Sequence, residues 1–263
     1  MLRVGVIGYG AIGRDLVTAI AEGKAGNCVC PAVLVRRRPK EAPFALTVHP
    51  DEFLSHGLDL VVECAGHGAV IEHGETALLA GADLMVTSIG ALVDDDLRER
   101  LLTTAAGGGR RLLLPAAGIG ALDMLSAAAV GDLDHVAITV RKDPSAWIGT
   151  SAERQCDLAS LSEALTIYEG PVREGARLYP ANVNISAAAA LASVGLDQAQ
   201  LRIVADPGID THVVEIEASG EFGRLQFVED VAVSETNRKT GKIVGMALVK
   251  ALRQMTSTLV VGV

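Results

Sequence analysis

The feature that most constrains this chain lies at its start. Gly8-Tyr9-Gly10-Ala11-Ile12-Gly13 is a G-x-G-x-x-G run. It follows the apolar stretch Val4–Ile7 and opens the apolar-periodic stretch Ala11–Ala21. A strand feeding a glycine turn that feeds a helix is the opening of a dinucleotide-binding βαβ unit. Gly8 permits the tight turn, Gly10 has no Cβ to hold a pyrophosphate off the backbone, and Gly13 lets the helix lie close to the strand. Free N–H groups at the helix start, on Ala11, Ile12 and Gly13, would receive the phosphates.

The rest of the first half repeats that alternation. Short apolar runs at Ala32–Val35, Leu58–Glu63, Asp83–Thr87 and Arg111–Leu114 predict strands, and Val70–Ala80 and Asp94–Ala105 predict helices. Buried-type strands separated by helices imply parallel βαβ units with right-handed crossovers. Gly107-Gly108-Gly109 reads as a helix end followed by a loop. After about residue 133 the pattern changes. Val136–Val140 reads as an exposed-edge strand, Leu161–Ile167 and Ile185–Val194 as helices, and Arg202–Ala205, His212–Ala218 and Arg224–Val228 as strands. Clustered strands predict an antiparallel sheet. The last stretch, Lys242–Met255, carries an apolar stripe of Val244, Ala247, Leu248, Ala251 and Leu252 that must pack on something. The expected fold is α/β: an N-terminal Rossmann doubly wound parallel sheet (residues 1–114 with 238–263) plus a smaller α+β domain (115–237).

At 263 residues and 49% hydrophobic the chain can bury two cores. A net charge of −9 and only 3% aromatic residues argue against a nucleic-acid binder. No run of 18 uncharged apolar residues occurs, so no membrane span is expected. Cys28, Cys30, Cys64 and Cys156 lack metal-ligand spacing and read as reduced thiols, with no metal site. A strand pattern beginning at Met1-Leu2-Arg3-Val4, with no secretory signal pattern, predicts a cytoplasmic address. The apolar strands Val213–Ile216 and Leu225–Val228 need cover that no helix clearly supplies, which predicts a homodimer.

The end of the second strand bears on the cofactor. An NAD-preferring site often has a carboxylate there, but this chain reads Val35-Arg36-Arg37-Arg38. The guanidinium groups of Arg36 and Arg37 suit the 2′-phosphate of NADP, so NADP is favoured and NAD stays open. Two further loops fall at strand C-termini, Glu63-Cys64-Ala65-Gly66-His67 and Ser88-Ile89-Gly90-Ala91. That edge binds ligands in open α/β sheets, so Cys64, Ala65 and Ser88 join the cofactor candidates. His67 reads as a surface loop histidine.

Further motifs follow in order: Arg141-Lys142…Trp147-x-Gly149-Thr150, Tyr179-Pro180-x-Asn182-x-Asn184, Ala205-Asp206-Pro207, Gly220-x-Phe222-Gly223 and Asn237–Thr240. With the glycine loop and the two strand-end loops, this series resembles the L-aspartate dehydrogenases over nearly the whole chain. The resemblance implies a Rossmann domain, an α+β catalytic domain making the dimer contact, and a last helix returning to the first domain. It implies NAD(P)-dependent interconversion of L-aspartate, a small dicarboxylate, with iminosuccinate, and so with oxaloacetate plus ammonia. It places Asn184 at the nicotinamide, and Gly118 in the loop where the family reads Ser-Gly-Ala-Ile-Gly and this chain reads Ala116-Ala117-Gly118-Ile119-Gly120.

Gapless alignment puts Val214 at the family's catalytic histidine, with His212 two residues earlier. Residues i and i+2 of a strand share a face, so His212 is the acid–base candidate. Lys142, beside Arg141, is the nearest cation for a dicarboxylate. Asn182 reads as a substrate contact or a helix cap, and Lys239-Thr240 as a carboxylate holder or a cap of the last helix. Two alternatives remain at this point. One is a related imine or keto-acid reductase with another substrate; the other is a catalytically silent NADP-binding protein.

Overall fold

The structure is a computed structural model that describes residues 1–38, 44–116, 119–180, 183–233 and 241–262. The chain divides into two compact units, Met1–Ala117 with Gly245–Val263, and Gly118–Val244.

In the first unit β1 (Leu2–Ile7) leads through the glycine turn into α1 (Ala11–Ala21). Then come β2 (Cys28–Val29), β3 (Val33–Leu34), β4 (Leu46–Thr47), α2 (Pro50–Leu54), β5 (Leu60–Glu63), α3 (His67–Leu79), β6 (Asp83–Val86), α4 (Asp95–Gly108) and β7 (Leu112–Leu113). The main sheet runs β4-β3-β1-β5-β6-β7, with β2 paired to β1. All its pairs are parallel. The chain winds outward from β1 to one side and then returns to β5 on the other, so the order reverses at the C-terminal ends of β1 and β5. That reversal is where open α/β sheets leave a crevice for a ligand. Val4, Val6, Leu60, Val61 and Val62 are fully buried, as strands covered on both faces must be.

Helix α4 starts at Asp94, whose side chain accepts from the Leu97 N–H at 3.0 Å. It ends at Gly109 in the left-handed region (φ 62°), as read from the glycine run. The C-terminal helix, Ile243–Thr256, sends Leu248 and Leu252 into the core formed by Val4, Val6, Leu16, Val17 and Leu60. Its i, i+4 stripe thus finds its cover within the first unit.

The second unit holds α5 (Leu122–Ala128), β8 (Leu133–Lys142), β9 (Leu165–Pro171), α6 (Val172–Leu178), α7 (Asn184–Leu191), β10 (Gln200–Ala205), β11 (His212–Gly220) and β12 (Gly223–Val231). Its sheet runs β12-β11-β8-β10-β9. Helix α7 packs on β8, α6 packs on β9 and β10, and α5 packs on α7. Four buried alanines, Ala187–Ala190, let α7 lie close to the strand.

Several sequence expectations change here. The strand over Val136–Val140 is longer and sits in the middle of the sheet, not at an edge. Its alternation of Val136, Ile138 and Val140 with Ala137 and Thr139 marks one face packed and one face less covered, which sequence alone does not distinguish from an edge. The sheet is mixed: β8 and β10 are parallel, because the connection carrying β9, α6 and α7 returns the chain in the same direction. Leu161–Ile167 is not helical. Leu165–Pro171 pairs antiparallel with β10, and Thr166, Ile167 and Tyr168 are strand-favouring residues. The short helices α5 and α6 have too few turns to show a clear period.

Candidate active site

The glycine turn is built as its spacing requires. Gly8 has φ +100°, a conformation that side chains other than glycine rarely adopt. Its N–H donates to the Leu34 carbonyl at 2.8 Å, tying the turn to β3. A Cβ on Gly13 would lie 2.2 Å from the Gly8 carbonyl oxygen, so the approach of α1 to the turn excludes any side chain there. A Cβ on Gly10 would meet nothing within 4 Å, so the backbone there faces open space.

Helix α1 begins at Gly10 without a side-chain cap and has no acidic residue in its first turn. The first N–H groups of a helix, here on Ala11, Ile12 and Gly13, have no intrahelical acceptor. With the positive end of the helix dipole, they form a receptor for an anion. Open space at Gly10, uncapped donors and absent acids together fit a dinucleotide pyrophosphate. Arg36 and Arg37 are exposed just beyond β3, the strand beside β1.

The loop after β5 meets this turn directly, and the loop after β6 is joined to it through Glu63. The Cys64 N–H donates to the Ile7 carbonyl at 2.8 Å, and the Ala65 Cβ lies 2.9 Å from where a Gly8 Cβ would be. Burial pushes the Cys64 thiol well above its ordinary pKa, and the adjacent Glu63 carboxylate adds to the rise. The Cys64 side chain is therefore a small neutral group, not a thiolate. The Ser88 hydroxyl turns inward and donates to Glu63 Oε1 at 3.0 Å.

The second unit gathers the remaining described candidates. His212 and Lys142 are direct cross-strand partners of β11 and β8, so both side chains project from the same face. They are 5% and 3% exposed. Lys142 Nζ lies 5.6 Å from the ring centroid of the buried Trp147, a cation–π arrangement. Trp147 meets Tyr179 edge to face, and the Tyr179 hydroxyl donates to the Ile167 carbonyl at 3.0 Å. Val214 shares the His212 face one step deeper, fully buried opposite Val140.

Strand alternation separates the basic pair Arg141-Lys142. Arg141 points to the opposite face and donates to Asp206 at 3.0 Å, so it does not join Lys142. The Asp206 carboxyl is held below its usual pKa, first by the Gly208 N–H and then by Arg141. Asn184 is the first residue of α7, with Val183 at the cap position, so it is not the N-cap. Gly118, Asn182, Lys239 and Thr240 lie outside the described residues.

Two carboxylates escaped the sequence reading. Glu63 has no role in the sequence reading beyond ending a strand and opening a loop, yet it is 1% exposed at the end of β5. Glu229, on β12 opposite Val214, accepts from the Gly120 N–H at 3.2 Å. Its other oxygen is buried without a hydrogen-bond partner among the described residues. Burial raises its pKa, against the lowering by Gly120. The available signal was a charge where strand alternation calls for an apolar side chain, after Leu225 and Phe227.

Comparison with known proteins adds the family. Residues 8–115 match the family model "Homoserine dehydrogenase, NAD binding domain", and residues 123–255 match "Aspartate dehydrogenase, C-terminal". The L-aspartate dehydrogenase of Ralstonia pickettii is 40% identical over 261 residues, covering 96% of this chain and 97% of its own. That of Pseudomonas aeruginosa is 40% identical over 260 residues, with 96% and 97% covered. The crystal structure of aspartate dehydrogenase from Thermotoga maritima superposes with a TM-score of 0.74 at 25% identity, covering 99% of both chains.

The two helix-side glycines should separate folding from binding. Gly13→Ala must displace backbone and should lower the melting temperature clearly. Gly10→Ala has room for its methyl group, so the protein should melt within about 2 °C of wild type while binding dinucleotide more weakly. Thermal melts paired with dinucleotide titrations check both outcomes.

Proposed function

The chain belongs to the L-aspartate dehydrogenase family and is an NAD(P)-dependent enzyme, and from that premise we propose how its own residues divide the work. It interconverts L-aspartate with iminosuccinate, and so with oxaloacetate plus ammonia. When bound, the nicotinamide supplies hydride exchange at the substrate carbon. Gly8, Gly10, Ala11, Ile12 and Gly13 hold the pyrophosphate, while Cys64, Ala65, Ser88, Gly118 and Asn184 bound the rest of the cofactor. Lys142, Asn182, Lys239 and Thr240 hold the dicarboxylate.

The observation that carries the assignment is the juxtaposition of His212 and Lys142, buried on one sheet face. Exchange of imine and ketone needs water activation and proton transfer. Histidine suits that task because its ordinary pKa lies near neutrality. A lysine beside it supplies the cation that a substrate carboxylate needs. Val214 stands between Val140 and the acidic Glu229 with no cation as cross-strand partner, which favours His212 as the acid–base group.

For the cofactor, the exposed Arg36 and Arg37 beyond β3 favour NADP over NAD. The sheet face of the second unit opposite His212 supports a homodimer. Val228 is 57% exposed there, among the ion pairs Arg202–Glu169 and Arg224–Glu217. The apolar side chains Val214 and Ile216 are already covered within the unit, so association would use this mixed face.

Ammonia-dependent oxidation of NADPH or NADH with oxaloacetate tests the activity. In that assay His212→Asn should cut turnover by about 10²–10⁴-fold with cofactor affinity retained. Val214→His should add nothing, and a gain of activity there would overturn the assignment. Arg36→Ala with Arg37→Ala should weaken NADPH binding by about 1–3 kcal/mol and leave NADH nearly unchanged. Equal weakening of both would remove the phosphate-clamp reading. Light scattering at micromolar concentration should find a dimer, with an interface on the order of 2,000 Å². A monomer there refutes it.

A further inference from the structure

Glu63 is a buried carboxylate at the end of an apolar strand, a placement that is costly unless donors satisfy both oxygens. They do. Its Oε1 accepts from the Ala65 N–H at 2.6 Å, the Gly66 N–H at 2.7 Å and the Ser88 hydroxyl at 3.0 Å. Its Oε2 accepts from the Ser88 N–H at 3.0 Å. The Glu63 backbone carbonyl accepts from the Thr87 hydroxyl at 2.7 Å. One residue therefore ties the loop after β5 to the loop after β6.

We propose that Glu63 is a positioning residue for dinucleotide binding, holding the loop after β6 to the loop after β5 and so fixing the wall on which the glycine turn rests. The role rests on the dinucleotide reading above.

Two consequences of the geometry carry it. First, Ala65 is the residue that Gly8 approaches, with the Ala65 Cβ 2.9 Å from a hypothetical Gly8 Cβ. A loop released from Glu63 would move the wall on which the turn rests. Second, Ser88 bonds both carboxylate oxygens, its hydroxyl to Oε1 and its N–H to Oε2, so the loop after β6 is held to the loop after β5 at two points.

The requirement is for a carboxylate. A glutamine at this position has one acceptor oxygen, and its NH₂ group would face an N–H donor whichever way the amide is turned. At least one buried N–H then loses its acceptor.

The test uses the full chain with Glu63→Gln and, as a control, Asp83→Ala, which removes the hydrogen bonds to Arg111 at the opposite end of β6. NADPH and NADH affinities are read from nicotinamide fluorescence, stability from thermal melts, and loop order from amide exchange at Ala65, Gly66 and Ser88. Glu63→Gln should weaken both dinucleotides by about tenfold or more and speed exchange at those amides. Asp83→Ala should lower the melting temperature yet leave both affinities within about twofold.

Unchanged affinity in Glu63→Gln overturns the role. So does a parallel loss in Asp83→Ala, which would mean general destabilisation. If Glu63→Gln does not fold, exchange in the wild-type protein without dinucleotide decides. Slow exchange at the three amides supports the role, and exchange at the rate of an exposed loop overturns it. Wild-type protein that binds neither dinucleotide would overturn the functional reading as well, whereas wild-type binding with an unaffected Glu63→Gln removes only this role.

Discussion

The ladder between β1 and β5 is the constraint from which the cofactor side of the molecule follows. Its register sets Ile7 opposite Glu63, so the two strands end side by side. The glycine turn and the Cys64–Ala65 loop both start within a residue of that step. Gly8 turns away from one strand end while Cys64 and Ala65 leave the other. Both strands are buried on both faces, and a Cβ at Gly5 would lie 2.4 Å from Leu58 and 2.6 Å from Phe53, so a slip that put a valine there would clash with the core. The loops inherit that rigidity, and the Glu63 carboxylate extends it across to β6 through Ser88.

The second unit works through a different constraint, the pleat of its mixed sheet. The central strand β8 alternates packed and outward residues, so Arg141 and Lys142, adjacent in sequence, serve opposite faces. Arg141 is engaged by Asp206, while Lys142 is buried over Trp147 and opposite His212. The aromatic contacts of Trp147, Tyr179 and Tyr168 form a rigid floor under this region. Rigid aromatic packing limits the freedom of a flexible lysine stem, which favours a defined position for its charge. Glu229 enters the same face from β12, two positions from the partner of His212.

Local sequence was sufficient wherever a short-range rule governs the chain. The glycine spacing specified the turn, because only glycine tolerates φ +100° at Gly8 and only a missing Cβ allows the contact at Gly13. The apolar runs specified the parallel sheet, and the stripe on the last helix specified that it must be buried. The motif order carried the family, and with it the candidate role of Asn184, while strand alternation singled out His212, and charge singled out Lys142.

Tertiary structure alone decided what depends on partners distant in the chain. The middle position of β8, its parallel pairing with β10 and the strand at Leu165–Pro171 follow from pairings that no local period encodes. The meeting of Lys142 with His212 spans 70 residues of sequence and exists only through the β8–β11 register. The engagement of Glu63 likewise depends on loops brought together by separate strands. Sequence periodicity states which side chains must be buried, since burial follows from local geometry and hydrophobicity. It does not state against what, because contacts between distant segments are settled by the collective packing of the folded chain.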